Sequence, residues 1–256
     1  MDANGVSLRY ELAGQRGPVV VLLHEIGGNL ESFTGIAPVL SERFRVLRYD
    51  QRGAGLSEKV RKDFSLETQV DDLEAVLKQL GLQPPFHFVT VAAAAAQALL
   101  FMDRDAKRVG SLVLCNPAFG VDPARAGQLE ERAAFAEREG MRAALAMTLD
   151  RSYPPELGDR ATYETYRGHY LANDPVGFAF ANRVLARHNA SHLIDRIRCP
   201  TMVVAGRHDA VRPPAGSEAA AGKIPGARYE LIDSGHFMPV QAPCPLRDLL
   251  LDFLPR

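Results

Sequence analysis

Seven short strand-like runs punctuate the 256-residue chain, and turn residues follow each of them. "VSLRYELAG" alternates apolar and polar residues, as an edge strand does. "PVVVLLH" is almost continuously apolar, which suits a strand buried on both faces of a parallel sheet. "FRVLRYD", "FHFVTV", "SLVLCN", "TMVVAG" and "RYELID" follow. Between them lie segments of helical period. "SLETQVDDLEAVLKQLG" opens at Ser65 with the carboxylate of Glu67 close behind, and stops at Gly81. Its Leu66, Val70, Leu73, Val76, Leu77 and Leu80 share one face. "AAAAQALLFMDRD" and "PLRDLLLDFL" are further helix candidates. Strands alternating with helices predict βαβ units, a mainly parallel sheet and an α/β fold with helices on both faces.

The alternation stops between about Phe119 and Ala190, where four helix-like segments run without a strand signal. The expected organisation is a core of residues 1–119 and 191–256, with a helical cap of residues 120–190 inserted between two core strands. Such a cap would cover the C-terminal edge of the sheet, where open α/β sheets bind ligands.

A hydrophobic share of 46% is ample for one large core. The formal net charge of -1, with basic residues scattered among acids, gives no reason to expect nucleic acid or an anionic membrane as partner. The N-terminus has no apolar stretch of signal-peptide length, and no run approaches the length of a membrane span. Cys115, Cys199 and Cys244 are odd in number and widely spaced, fitting neither a disulfide framework nor a zinc site. A cytoplasmic protein acting on a small molecule is expected, monomeric or homodimeric, with no metal and no cofactor.

Four stretches at strand ends could carry chemistry. "LLHEIGGN" follows a buried strand, and Gly27 and Gly28 permit a turn whose N–H groups face a pocket. "YDQRGAGLSE" needs a tight loop, which Asp50 and Arg52 could brace as a pair. "AGRHD" places Asp209 just past one strand, and "DSGHF" places His236 just past the next. A carboxylate beside an imidazole fixes its tautomer and stabilises the imidazolium, leaving the second ring nitrogen as a base. His24, Gly27 and Asn116, also at strand ends, are expected to face a substrate. His87 is read as packing, His208 as pointing away from Asp209, and Ser57, Asp233 and Ser234 as turn residues. Tyr163, Tyr166, Tyr170, Phe178 and Phe180 are read mainly as cap core, with some facing the cleft.

Taken together, "HEIGG", "YDQRGAGLS", "GRHD" and the final "GH" resemble the α/β-hydrolase fold family over nearly the whole chain. "DRIRCPTMVVAGRHD" is similar to the neighbourhood of 3-oxoadipate enol-lactonases and carbamate-type hydrolases. The resemblance implies a nucleophile elbow after "FHFVTV", where the family has G-x-S-x-G-G. This chain reads Thr90-Val91-Ala92-Ala93-Ala94-Ala95. The nucleophile position falls at Ala92, or at Ala93 if the register slips by one. Because Thr90 and Ala94 also depart from glycine, the whole motif has drifted, as a natural alanine would explain better than one engineered change.

A methyl group cannot attack a carbonyl, so a covalent acyl-enzyme through residue 92 is excluded. Water deprotonated by His236 is the expected nucleophile, with the N–H groups of Ile26 and Ala93 holding the oxyanion. Glu25 replaces the family's glycine, and "HEI" resembles the Glu-Ile turn of dienelactone hydrolases. Its carboxyl either projects into the pocket as a second acid or base, or turns away to bind backbone or an arginine. A lyase, decarboxylase or isomerase using the same histidine, and a non-catalytic binding protein, remain alternatives.

Overall fold

The computed structural model describes residues 1–153 and 155–255. Its centre is a seven-stranded sheet of order β3-β5-β4-β6-β7-β8-β9. These strands are β3 (Tyr10–Ala13), β4 (Val19–Leu23), β5 (Arg45–Tyr49), β6 (Phe86–Val91), β7 (Val109–Cys115), β8 (Thr201–Gly206) and β9 (Arg228–Ile232). Only β3 runs antiparallel to its neighbour, at the edge. The run "VSLRYELAG" therefore divides. Val6–Ser7 (β2) pairs with Asp2–Ala3 (β1) in a separate hairpin, and only Tyr10–Ala13 joins the sheet.

Strand period two splits the core between the two faces. Val19, Val21 and Leu23 of β4, with Phe86 and Phe88 of β6, pack under the helices α2 (Leu66–Gln79) and α3 (Ala94–Arg104). Val20, Leu22, Val89 and Val91 face the other way, toward α1 (Ala37–Leu40) and α10 (Pro243–Phe253). Helix α2 begins where expected, but the residue that completes its capping box with Ser65 is Thr68 and not a carboxylate.

Between β7 and β8 the described residues form helices and no strand. They are α4 (Pro123–Ala144), α5 (Leu149–Ser152), α6 (Arg160–Leu171) and α7 (Pro175–Arg187), with short 3₁₀ turns between. Gly140, at φ 82°, breaks α4 between the two helical patterns read from the sequence. These helices share a third core of Ala136, Tyr153, Tyr166, Tyr170 and Phe178, into which Phe237 of the histidine loop inserts. The remaining helices are α8 (Pro214–Ala221) and α9 (Met238–Gln241). No helix among the described residues is long and apolar enough to cross a membrane.

Helix α7 sits on the core at one glycine pair. A Cβ on Gly177 would lie 2.2 Å from the carbonyl oxygen of Gly53 and 3.0 Å from its Cα. Backbone cannot yield as a side-chain tip can, so Gly177→Ala must push α7 outward. Overpacking of this kind costs about 1–3 kcal/mol. A fall in melting temperature of about 2–4 °C per kcal/mol is expected for a chain of this size. An unchanged thermal midpoint would show that α7 is not held against the Gly53 loop.

Candidate active site

Parallel register brings the strand ends to one edge. Leu23 of β4 pairs with Thr90 of β6, Val91 with Cys115, Cys115 with Val204, and Gly206 with Ile232. His24, Ala92, Asn116, Asp209 and His236 each follow one of these strands. β4 is also where the strand order reverses, with β5 on one side and β6 on the other. Its crevice with β6 is the topological switch point at which α/β sheets bind ligands.

The turn from β6 into α3 is made by Ala92 itself, at φ 50°. An alanine in the left-handed region costs about 1–2 kcal/mol. Three backbone hydrogen bonds offset this: Ala92 N–H donates to Cys115 O (2.9 Å), and Ala92 O accepts from Ala95 and Ala118 N–H (3.1 and 3.0 Å). The turn is strained and fully anchored, so the elbow has not relaxed.

His236 Nδ1 lies 2.7 Å from Asp209 Oδ2, and both residues are buried. Asp209 accepts three hydrogen bonds: Oδ2 faces His236, and Oδ1 takes the N–H groups of Val211 and Arg212 at 2.8 Å each. Those bonds fix the orientation of the carboxylate. The carboxylate in turn calls for a proton on His236 Nδ1, so Nε2 presents a lone pair. Nε2 has no hydrogen-bond partner among the described residues.

His236 and Ala92 line one cavity, together with Glu25, Ile26 and Ala93. It offers about 60 Å³ to the centres of water-sized groups and is partly open to solvent. A second cavity adjoins it across Glu25, Ile26, Ala93, Phe178 and Leu185, and its apolar wall includes Ala94 and Ala96 of α3 and Ala181 and Val184 of α7. Neither Ile26 N–H nor Ala93 N–H donates to any group among the described residues, so both remain available to an oxyanion in the cavity they share.

Three sequence expectations are corrected by side-chain contacts. Asn116 does not line either cavity. Buried completely, it donates from Nδ2 to Gly235 O and His236 O (3.1 Å each) and accepts Gly206 N–H at 2.8 Å. It ties β7 to the loops that carry the Asp–His pair. His24 lines the second cavity, yet both ring nitrogens are spent: Nδ1 on Glu25 O (2.8 Å) and Nε2 on Gln51 N–H (3.0 Å). It has no hydrogen bond left for a substrate. Asp50 and Arg52 do not pair with each other. Asp50 accepts Leu30 and Leu56 N–H at 2.7 Å each, and Arg52 forks onto Asp72.

Gly27 lines the second cavity at φ 85°, and the ring of Tyr170 fills the place of a Cβ, 2.3 Å away. Glu25 takes neither of the two expected orientations cleanly. Its Oε1 accepts from Ser32 Oγ (2.8 Å) and from Tyr166 OH (2.6 Å), while Oε2 is buried without a partner and the residue lines both cavities. Burial and the nearby Glu25 carboxylate raise the Tyr166 phenol well above its ordinary range, so it stays a donor. His208 bonds Asp233 (2.6 Å) and His87 bonds Ser111 (2.9 Å), both away from the site.

Two contributions were not read from the sequence. Asn173 donates to Gly27 O (2.8 Å) and accepts Gly55 N–H (3.0 Å), stapling the turn after β4 to the loop after β5. Arg125 and Arg132 of α4 and Arg212 beyond β8 line the cavity that holds His236. The only available signal was spacing: Arg125, Leu129 and Arg132 recur at helical intervals on one face.

The sequence profile of the alpha/beta hydrolase fold matches residues 18–243 of this chain. The chain is 25% identical over 247 residues to 3-oxoadipate enol-lactonase 1 of Acinetobacter baylyi, covering 94% of this chain and 91% of that protein. It is 27% identical over 241 residues to RutD of Caulobacter sp. (strain K31), assigned as a carbamate hydrolase, covering 92% and 90%. The crystal structure of the enol-lactonase from Burkholderia xenovorans LB400 superposes with a TM-score of 0.91 at 27% identity, covering 98% and 97%. A strained turn after β6, an acid after β8, a histidine after β9 and a match that spans the sheet lead to one conclusion: the chain belongs to the α/β-hydrolase fold family.

Proposed function

We propose that this chain is a cofactor-free hydrolase that directs water, activated by His236, onto a small carbonyl substrate such as an enol lactone, ester, carbamate or amide. The observation that carries the reading is the Asp209–His236 pair opening on a cavity whose elbow residue, Ala92, is a methyl group. The named activities of the enol-lactonase and carbamate-hydrolase relatives support the substrate class.

In this reading His236 Nε2 takes a proton from water while the water oxygen adds to the carbonyl carbon. The carbonyl oxygen becomes an oxyanion held by Ile26 and Ala93 N–H. Collapse breaks the bond to the leaving group, which receives the proton from His236. Asp209 stabilises the imidazolium between the two transfers. General-base catalysis contributes about 10²–10⁴-fold, and one oxyanion donor about 10²–10³-fold. With no nucleophilic side chain, activated substrates are favoured.

A single turnover in ¹⁸O-labelled water is expected to place one label in the carboxyl product, with no acyl adduct in the intact-protein mass. Glu25, which lines the same cavity and holds one carboxylate oxygen without a partner, favours a second reading in which His236 and Glu25 pass a proton between substrate atoms, as a lyase or isomerase does. Product without label would select that second reading.

A further inference from the structure

The cavity that holds His236 is lined by three arginines and, among carboxylates, only by Glu25. None of Arg125, Arg132 and Arg212 has a carboxylate oxygen within ion-pair distance among the described residues. By contrast, Arg183 and Arg187 of α7 are both paired. Arg183 and Arg187 share Glu130, and Arg183 also takes Glu137. Of the carboxylate oxygens at the cavity only Glu25 Oε2 lacks a partner, and none lies within ion-pair distance of these arginines among the described residues. Glu25 Oε1 is held by Ser32 and Tyr166, and both Asp209 oxygens are bonded.

Each arginine is placed by its surroundings. Arg132 donates from Nη2 to Asn182 and lies 5.9 Å from the centre of the Phe178 ring, and its Nε is buried without a partner. Arg125 lies two helical turns earlier on the same face and donates to Gln128 (2.9 Å). Arg212 is set by its own backbone, whose N–H binds Asp209 Oδ1, so its position is tied to the acid of the Asp–His pair. Burial, with the positive charge of Arg125 nearby, lowers the guanidiniums of Arg132, to about 10, and of Arg212, yet both stay charged near neutrality. Like charges gathered in a half-buried space, paired with no carboxylate among the described residues, raise the energy of the empty cavity. An anionic ligand relieves that cost.

We propose that this cluster is an anion subsite, and that the substrate carries a carboxylate or phosphoryl group held by Arg132, Arg212 and Arg125 while its carbonyl lies between Ala92 and His236. This rests on the hydrolase reading for the position of the carbonyl, but not for the anion site itself. A guanidinium fork matches either oxyanion group through paired N–H donors. The cluster therefore selects substrates by charge before chemistry begins. A neutral analogue would leave three half-buried cations unpaired and lose the corresponding affinity.

Equilibrium calorimetry at low ionic strength tests the site without turnover, using glutarate, inorganic phosphate and the neutral glutaramide as probes. Binding of glutarate, of phosphate or of both, with glutaramide silent, is expected, and the preferred ion tells a carboxylate substrate from a phosphoryl one. Arg132→Met and Arg212→Met are each expected to weaken the bound ion by about 10–100-fold, the range of a charge-assisted hydrogen bond. Arg212 is partly exposed on a loop, so its variant reports even if Arg132→Met fails to fold. His236→Ala should bind the ion as well as the parent chain does. Loss of turnover with binding intact therefore bears on the hydrolase reading alone. The anion subsite is overturned if neither ion binds, if glutaramide binds equally, or if the folded arginine variants bind undiminished.

Discussion

His236→Ala is expected to lower turnover of an activated ester or lactone by about 10²–10⁴-fold, the usual contribution of a positioned general base. His236 is the only imidazole lining the cavity with Ala92, and its Nε2 is not engaged by the protein. The histidine is also ordered by more than its acid: Phe237 beside it packs into the cap core, and Asn116 holds its carbonyl. Removing the ring should therefore leave the loop in place, and a far-ultraviolet spectrum matching the parent would confirm that the loss is chemical. Asp209→Asn should give a loss of similar order by a different route. The amide can no longer stabilise an imidazolium, and the Val211 and Arg212 N–H groups, still bonded to Oδ1, would orient its NH₂ toward Nδ1. The ring would then favour the tautomer with Nε2 protonated, which cannot accept a proton from water. Full activity in both variants would exclude the pair from the reaction.

Asn116→Ala is expected to be the most damaging single change to stability near the site. It deletes three hydrogen bonds at a position with no solvent exposure, leaving Gly206 N–H, Gly235 O and His236 O without this partner. Each buried group left unsatisfied costs about 1–3 kcal/mol. A total on the order of 3 kcal/mol or more is expected in chemical denaturation. The residue also stands at φ 45°, which asparagine tolerates better than alanine does. Because the same bonds join the loop after β7 to those carrying Asp209 and His236, catalysis should fall together with stability. An Asn116→Ala protein with unchanged midpoint and unchanged turnover would show that the two loops hold their geometry without it.

Much of the fold was legible before any coordinates. Each of the seven strand-like runs contributes to the central sheet, because continuous apolar pentads such as Val19–Leu23 can be satisfied only where both faces are covered. The Asp–His pair was legible for a related reason. Parallel strands bring successive strand ends to one edge, so two residues 27 apart in sequence could be placed side by side from topology alone. The corrected expectations share a different cause. His24, Asn116, Asp50 and Arg52 were each assigned by position at a strand end, but a polar side chain at that edge can turn to ligand or to backbone. Which it does depends on groups brought from 6 to 120 residues away.

The sequence by itself determined the parallel α/β framework, the glycine-dependent turn after the second run, and the absence of any nucleophilic atom at residue 92. Those follow from period, from φ restrictions and from the chemistry of a methyl group, all of which are local. Only the tertiary structure decided that the strained turn falls at Ala92 and that Glu25 is held by Tyr166 from a helix 141 residues away. It also decided that three arginines face the cavity of His236 without a carboxylate of their own. Charge pairing and cavity walls are properties of residues distant in sequence, and no local pattern encodes which of them will meet.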